Sequence, residues 1–371
     1  MAASPPALLE PTGSLVPDVE RIAVLRSNAI GDFVVAIPAL RALRAAYPAA
    51  QITYLGTSWH PALLEGRPGP WDRVVVVPRY PGVRDEDEST RDSPEVHEFL
   101  AAQRRERYDL ALQLHGGGGN SNSFVTQLGA RTTAGSRAVG APPLDRWTPY
   151  VHYQHEVHRF LEVVGLVGAV PVELEPSLEV TAADRAAADD VLREVAGQGR
   201  PLVAVHPGAT DPRRRWPPES FAAVARPLAE RGAQILLIGA GAADEKAAAE
   251  IAADLPARPL DLVGRLSMSA MVGVLERCRL VLGNDSGPRH LAAAVGTATV
   301  AVYWCGNLIN AGPITRRRHR VGVSFRSTCP RCGADQGRGR CPHDPSYVAD
   351  VPVDEIAAAA LDLYDLEEEI R

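Results

Sequence analysis

Lysine is almost missing from this chain of 371 residues: Lys246 is the single lysine among 39 basic residues. With 32 glycines, 31 prolines and abundant alanine, the imbalance reads as codon bias from a GC-rich genome, not as a stability device. Cysteine is scarce too, and five in this length do not make the disulfide framework of a small secreted domain. There is no surplus of positive charge. The net charge of -6 argues against a general nucleic-acid binder. The longest apolar window, Ala292 to Cys305, is too short to span a bilayer and is interrupted by Gly296, Thr297 and Thr299. The opening stretch, MAASPPALLEPTGSLVPDVE, has no arginine and no continuous apolar block. It is expected to be a disordered, proline-rich lead-in over residues 1–20, not a signal peptide. These absences point to a cytoplasmic protein with no transmembrane segment and leave peripheral membrane contact open.

What is present is an ordinary globular composition, 46% hydrophobic and 23% charged, in a chain long enough for two domains. Strand-like apolar runs alternate with helix-like stretches, the signature of parallel sheets covered by helices. In the first half, strands are expected at Arg21–Arg26, Gln51–Gly56, Asp72–Val77, Asp109–His115 and around Arg131–Gly135. Helices are expected at Asp32–Ala46, Pro94–Arg107, Ser121–Leu128 and near His155–Val164. In the second half the strands are Leu202–His206, Gln234–Gly239, Leu280–Asn284 and Ala298–Tyr303. The helices there are Thr181–Gly197, Pro218–Arg231, Asp244–Asp254, Ser267–Arg277 and Pro288–Val295. The two halves repeat a strand–polar loop–helix–strand pattern, from Arg21 to Gly56 and again from Leu202 to Gly239. The expected organisation is one α/β domain over 21–170, a linker over 171–180 and a second α/β domain over 181–352. A final helix in 353–371, capped by Asp354, is free to cross back to the first domain. Open parallel sheets bind ligands at the C-terminal ends of their strands. The loops after Arg26, His115, His206, Gly239 and Asn284 are therefore where function belongs.

Four of these loops carry candidate chemistry, each with a plainer reading beside it. In RSNAIGDF, Asn28 and Gly31 lead to Asp32 at a helix start, where a carboxylate is either a cap or a general base. In GNDSGPRH, the turn Asp285, Ser286, Gly287 leads to Pro288 at the expected first helical position. Backbone N–H groups there form an anion pocket, or simply a well-capped helix, and His290 lies in the same turn. In HPGATDPRRRWPP, the arginines around Arg214 and Arg215 suit bidentate capture of a diphosphate, or form a solvated face. In LIGAGAADEK, Asp244 and Glu245 can bond ribose hydroxyls or cap their helix. The glycine run His115, Gly116, Gly117 to Asn120 can let a sugar or phosphate approach the main chain, or be a flexible turn. Arg316–Arg318 reads as surface. GxGxxG with a ribose-binding acid and GxxxxGK[ST] are both missing, which disfavours dehydrogenase and P-loop readings.

Taken jointly, GDFVVAIPALRALRAAYP, HPGATDPRRRWPPESFAAVA and GNDSGPRHLAAAVGTATVAVY resemble glycosyltransferase family nine, the ADP-heptose:lipopolysaccharide heptosyltransferase group. The motifs occur in the family's order across residues 20 to 360. The resemblance implies a GT-B fold, two Rossmann-like lobes with a central cleft, the first binding acceptor and the second the nucleotide sugar. It implies an inverting, metal-independent transfer of a sugar, a heptose from ADP-heptose being favoured. Asp32 would be the general base, and Arg214, Arg215 and the Asp285–Pro288 turn would hold the departing diphosphate. Glu245, or Asp244 in its place, would contact the ribose. The acceptor is a glycan, a lipid-linked glycan, a protein or a small molecule, and nucleic acid is not expected. The alternatives on the same fold are a nucleotide-sugar epimerase or hydrolase and a non-catalytic nucleotide-sugar-binding protein.

Cys329, Cys332, Cys341 and His343 form CxxC-x8-CxH, four soft ligands in a Pro/Gly-rich segment. The first pair has zinc-knuckle spacing, so a structural zinc or iron site is a candidate, separate from any catalytic cofactor, for which none is expected. Cys278 and Cys305 follow apolar segments and read as core.

Overall fold

The computed structural model describes residues 11–84, 87–195, 197, 199–335 and 340–370. The chain divides into two compact units, Met1–Glu179 and Val180–Arg371. In the first, six parallel strands form one sheet: β1 Arg21–Leu25, β2 Gln51–Gly56, β3 Arg73–Val76, β4 Leu110–Gln113, β5 Thr132–Arg137 and β6 Arg146–Pro149. Their order is β3-β2-β1-β4-β5-β6. In the second unit the strands are β7 Leu202–His206, β8 Gln234–Leu237, β9 Leu260–Asp261, β10 Cys278–Asn284, β11 Ala298–Trp304 and β12 His319–Ser324. That sheet reads β12-β11-β10-β7-β8-β9. Counted within each unit, both orders are 3-2-1-4-5-6, so the internal repeat extends to topology. Each sheet reverses direction between its first and fourth strands, where the strand ends open a crevice for ligands.

The central strands are buried on both faces, which is why they read as short apolar runs. Ile22, Val24 and Leu25 of β1 are fully buried, as are Val203 and Val205 of β7. In the second unit Trp216 packs edge-on against Phe221, their ring centroids 5.1 Å apart, inside the core beneath the arginine loop.

The structure departs from the sequence reading at several points. The helix expected over Asp32–Ala46 is two helices, Ile30–Val34 and Ile37–Ala46. Pro38 has no N–H to donate to the Val34 carbonyl, and its ring clashes with a continuous helix there. Residues 1–10 of the expected disordered lead-in lie outside the described residues. Residues 11–20 pack against the first unit: Val16 is buried, its N–H donates to Tyr47 Oη at 3.1 Å, and Gly13 N–H donates to the Gly165 carbonyl at 3.0 Å. The last helix, Val353–Ile370, packs within its own unit instead of crossing back. Ile356, Ala360, Leu363 and Tyr364 fill the second core, and Arg231 and Arg318 bind Asp365 and Glu367 on it. Strands β6, β9 and β12, unforeseen in the sequence, are all edge or outer strands.

Candidate active site

In the first unit the loop after β1 carries Asp32 in the first turn of Ile30–Val34. Its Oδ2 accepts from the Ala29 N–H at 3.1 Å, so the capping role is real. The same carboxylate does more: Oδ1 accepts from Arg26 Nη2 at 2.6 Å while about a third of the side chain, 36%, stays exposed. Arg26 itself is buried. Its Nη1 donates to the Leu114 carbonyl at 2.8 Å, its Nη2 lies 3.5 Å from Glu156 Oε2, and its guanidinium stacks 4.8 Å above Phe160. Glu156 is shared with buried Arg159. A charge-assisted chain thus fixes the Asp32 carboxylate from one side and leaves the other open.

His115, two residues beyond β4, accepts from the Ser27 N–H at 3.3 Å through Nδ1. Burial, and then the nearby Arg26 charge, push its pKa down to about 3, so it is a neutral imidazole at physiological pH. In the glycine run that follows, Gly116 and Gly118 have φ of +69° and +85°, which side chains rarely adopt. Gly117 accepts from the Ala138 N–H at 2.7 Å. Asn120 is tied outward by Arg91 Nη2 at 2.8 Å, and half-buried Asn28 and Gly31 flank Asp32 in the β1 loop.

In the second unit the ends of β7 and β10 converge on one polar site. Asn284 donates through Nδ2 to the Pro207 carbonyl at 2.7 Å and accepts from the Trp216 N–H at 3.0 Å, locking the arginine loop to the sheet. Next to it, Asp285 is buried and accepts from Arg214 Nη1 at 3.1 Å, with His290 Nε2 3.1 Å from its other oxygen. Burial opposes ionisation of Asp285, but His290, Arg289 and Arg214 outweigh it and hold the carboxyl below the usual carboxylate range. Ser286 precedes the helix Gly287–Ala294, whose first-turn N–H groups have no intrahelical acceptor. Pro288 falls at its second position and contributes no N–H. Ser286 Oγ lies 2.9 Å from His206 Nδ1, and His206 Nε2 is 3.7 Å from Asp244 Oδ2. Arg215 is held by its Nε–H bond to the Ala209 carbonyl at 2.8 Å.

The two acids left open in the β8 loop are sorted by burial. Asp244 is buried, accepts from the Ala240 N–H at 2.9 Å and abuts Gly208 and Gly239. Burial would raise its pKa, yet His206, the Ala240 N–H and Arg215 hold it down. Glu245 is exposed in the first turn of Ala242–Asp254. Sequence reasoning missed Arg26, Glu156, His206 and Asn284. The first two are 130 residues apart and meet only in the fold, whereas His206 and Asn284 end buried strands at sheet edges already marked for ligands.

Cys329, Cys332, Cys341 and His343 offer ligand atoms that all lie within 4.8 Å of one another. Cys329 N–H bonds the Ala334 carbonyl at 2.9 Å and Gly333 N–H bonds the Cys329 carbonyl at 2.8 Å, a tight knuckle closed by the Thr328–Asp335 bridge. Burial opposes ionisation of Cys329, but the Arg331 and Cys332 N–H groups directed at its sulfur bring the thiol down to about 6. The x8 spacer passes through residues 336–339, which lie outside the described residues. Among the described residues no helix is long and apolar enough to cross a membrane.

Residues 96–335 match the family described as Glycosyltransferase family 9 (heptosyltransferase). Lipopolysaccharide heptosyltransferase 2 of Salmonella typhimurium is 28% identical over 305 residues, 76% of this chain and 82% of the relative. The structure of E. coli ADP-heptose lipopolysaccharide heptosyltransferase II superposes with a TM-score of 0.70 at 21% identity, over 94% of this chain and 99% of that one. TibC of enterotoxigenic E. coli, an iron-containing dodecameric glycosyltransferase, superposes with a TM-score of 0.58 at 12% identity, over 96% and 81% of the two chains. These likenesses are of fold, and the fold is the GT-B type.

Proposed function

The chain belongs to glycosyltransferase family 9 and is a glycosyltransferase, and from that premise we propose that it moves a heptose from ADP-heptose to an acceptor hydroxyl with inversion. The acceptor proposed is a glycan of the lipopolysaccharide kind, and the site of action the cytoplasm. Asp32 takes the acceptor proton as the oxygen attacks the anomeric carbon, its carboxylate oriented by Arg26 and the Ala29 N–H. The departing ADP gathers negative charge on its diphosphate. Arg214, Arg215 and the N–H groups at the start of Gly287–Ala294 meet that charge, so no catalytic metal enters the proposal. Exposed Glu245 contacts the ribose, while Asp244 serves the loop through His206.

The observation that carries the donor assignment is the pairing of Arg214 with buried Asp285 beside an open helix start, at the point where the sheet reverses. The test is to mix the protein with ADP-heptose and a panel of acceptors without added divalent cations, and to follow ADP release and the anomeric configuration of the product. Expected are an acceptor-dependent product of inverted configuration and loss of turnover, with ADP affinity retained, in Asp32→Asn. Free heptose released without acceptor would make the protein a hydrolase. ADP binding without Asp32-dependent turnover would make it a binding protein.

We propose also that Cys329, Cys332, Cys341 and His343 hold a structural zinc or iron ion. The donor set fits. Tetrahedral zinc holds thiolate sulfurs roughly 3.8 Å apart. Among the described residues the buried His343 Nδ1 has no hydrogen-bond partner. Bound there, the ion supplies a cross-link and takes no part in the transfer. Metal analysis of the purified protein should find one equivalent, and less than about a tenth would dismiss the site.

A further inference from the structure

The arginine loop of the second unit is a short 3-10 turn, Pro212–Arg214, opened by Asp211, whose Oδ1 accepts from the Arg213 N–H at 3.0 Å. Such a turn has few hydrogen bonds of its own. Asp285 holds the Arg214 side chain and Asn284 the Trp216 N–H, and two further bonds hold the main chain between them. The Tyr347 N–H donates to the Arg213 carbonyl at 2.7 Å, and Ser346 Oγ donates to the Arg215 carbonyl at 2.6 Å. These two bonds grip the carbonyls of the two residues that flank Arg214.

Ser346 and Tyr347 close the segment that carries the cysteine knuckle. Tyr347 is fully buried, its carbonyl accepts from Ser324 Oγ at 2.7 Å at the end of β12, and its hydroxyl faces the Cys329 sulfur. Its ring lies against Trp304, centroids 5.0 Å apart, and the Arg213 guanidinium sits 5.4 Å over the same indole. Upstream of Tyr347 the segment has almost no core: of the described residues from 325 to 346 only Cys329 is buried. Little apolar burial means little to offset the entropy of ordering the chain, and a metal cross-link is the usual substitute. His343 is three residues from Ser346, a span of about 10 Å at most. An ion joining Cys329 and Cys332 to Cys341 and His343 therefore closes the loop immediately before the two groups that grip the arginines.

We propose that the metal-bound knuckle is a positioning device for the donor site: by fixing Ser346 and Tyr347 it holds Arg214 and Arg215 in the arrangement that binds the nucleoside diphosphate, so donor binding depends on an ion that never touches the donor. The inference rests on both readings made under the proposed function, the ADP site and the structural metal.

The test uses the full-length protein, with metal content by elemental analysis, fold by circular dichroism and ADP affinity by calorimetry. The protein as purified should hold one equivalent of zinc or iron and bind ADP. Stripping the ion with a strong chelator should weaken ADP binding about tenfold, the effect of releasing order in one or two loop residues, and zinc should restore it. Ser346→Ala should keep its metal yet bind ADP several-fold more weakly, which separates the grip from the ion. A folded, metal-free protein with parental ADP affinity overturns the coupling and leaves both underlying readings standing. Protein that carries no metal from the start removes the metal reading and the coupling with it. A parent protein that does not bind ADP removes the donor reading. Should stripping unfold the protein, Ser346→Ala decides: metal-loaded protein with parental ADP affinity overturns the proposal.

Discussion

The first unit leaves 36% of the Asp32 side chain exposed beside Arg26, whereas the second encloses Asp285 to 5% side-chain exposure between Arg214 and His290. Both acids follow a central strand of a sheet with the same order, and both are paired with an arginine at about hydrogen-bond distance. What differs is which partner is free to meet a ligand. In the first unit the arginine is buried and the acid is presented, so the pair orients a group that can accept a proton. In the second the acid is buried and the arginine is presented, so the pair orients a group that can accept negative charge. One topology thus supplies opposite electrostatics by exchanging which member of an ion pair is enclosed.

Neutralising each acid is the most direct way to break this comparison. Asp32→Asn should lower turnover by roughly 10²–10⁴-fold, the range for loss of a general base, while ADP affinity and stability stay near those of the parent. Asp285→Asn should act in the other direction. Removing one member of a buried pair costs about 3 kcal/mol because Arg214 and His290 lose their counter-charge. A lower urea midpoint and weaker ADP binding are expected. If Asp285→Asn kept parental stability and affinity, the enclosed acid would not be the anchor of Arg214.

Acid titration gives a smaller, graded contrast. His60 and His115 of the first unit are held down to about 3, mainly by burial, and His319 of the second to about 4. Unfolding returns each to about 6.5. Between these limits the unfolded chain binds more protons, so stability falls as pH falls from about 6.5 toward 4, more steeply in the first unit. Raised Glu173 in the first unit offsets part of this. Below about pH 4 the second unit gains a loss of its own, because Asp244 and Asp285 have depressed pKa values whose stabilising contribution is lost as they protonate. Hydrogen exchange by mass spectrometry, corrected for intrinsic rates, reads the two units separately. Equal loss of protection in both between pH 6.5 and 4.5 would break the assignment.

The sequence made most of this fold legible where burial was two-sided. Strands β1, β4, β7 and β10 are apolar runs because both faces are covered, and their ends carry the loops of the candidate site. Strands β6 (RWTP), β9 (LD) and β12 (HRVGVS) carry proline, acid or arginine because less of their surface is enclosed, and they gave no such signal. In the site, the motifs brought out Asp32, Arg214 and Asp285. The partners that fix them were hidden, since Arg26–Glu156 and Arg214–Asp285 pair across long stretches of chain and no local pattern encodes such a meeting. Asp244 and Glu245, adjacent and chemically alike, became distinguishable only through burial.

The smallest effects come from glycines in the two sets of loops. A Cβ on Gly208 would stand 2.3 Å from Asp244 Oδ1, so Gly208→Ala must displace a buried carboxylate from its place beside His206 and the Ala240 N–H. Gly208→Ala is expected to destabilise by about 1–3 kcal/mol, as overpacking does, and to weaken ADP binding several-fold. In the first unit, Gly119 has an ordinary φ, and among the described residues nothing lies within 4 Å of where its Cβ would be. Gly119→Ala should therefore stay within about 0.5 kcal/mol of the parent in urea unfolding. The contrast sharpens the comparison between the units. The Gly208 loop is packed to the point where one methyl group is felt, whereas this part of the glycine run has room to spare. A large loss of stability in Gly119→Ala would show that the run is packed too, and the difference in packing between the two loops would have to be given up.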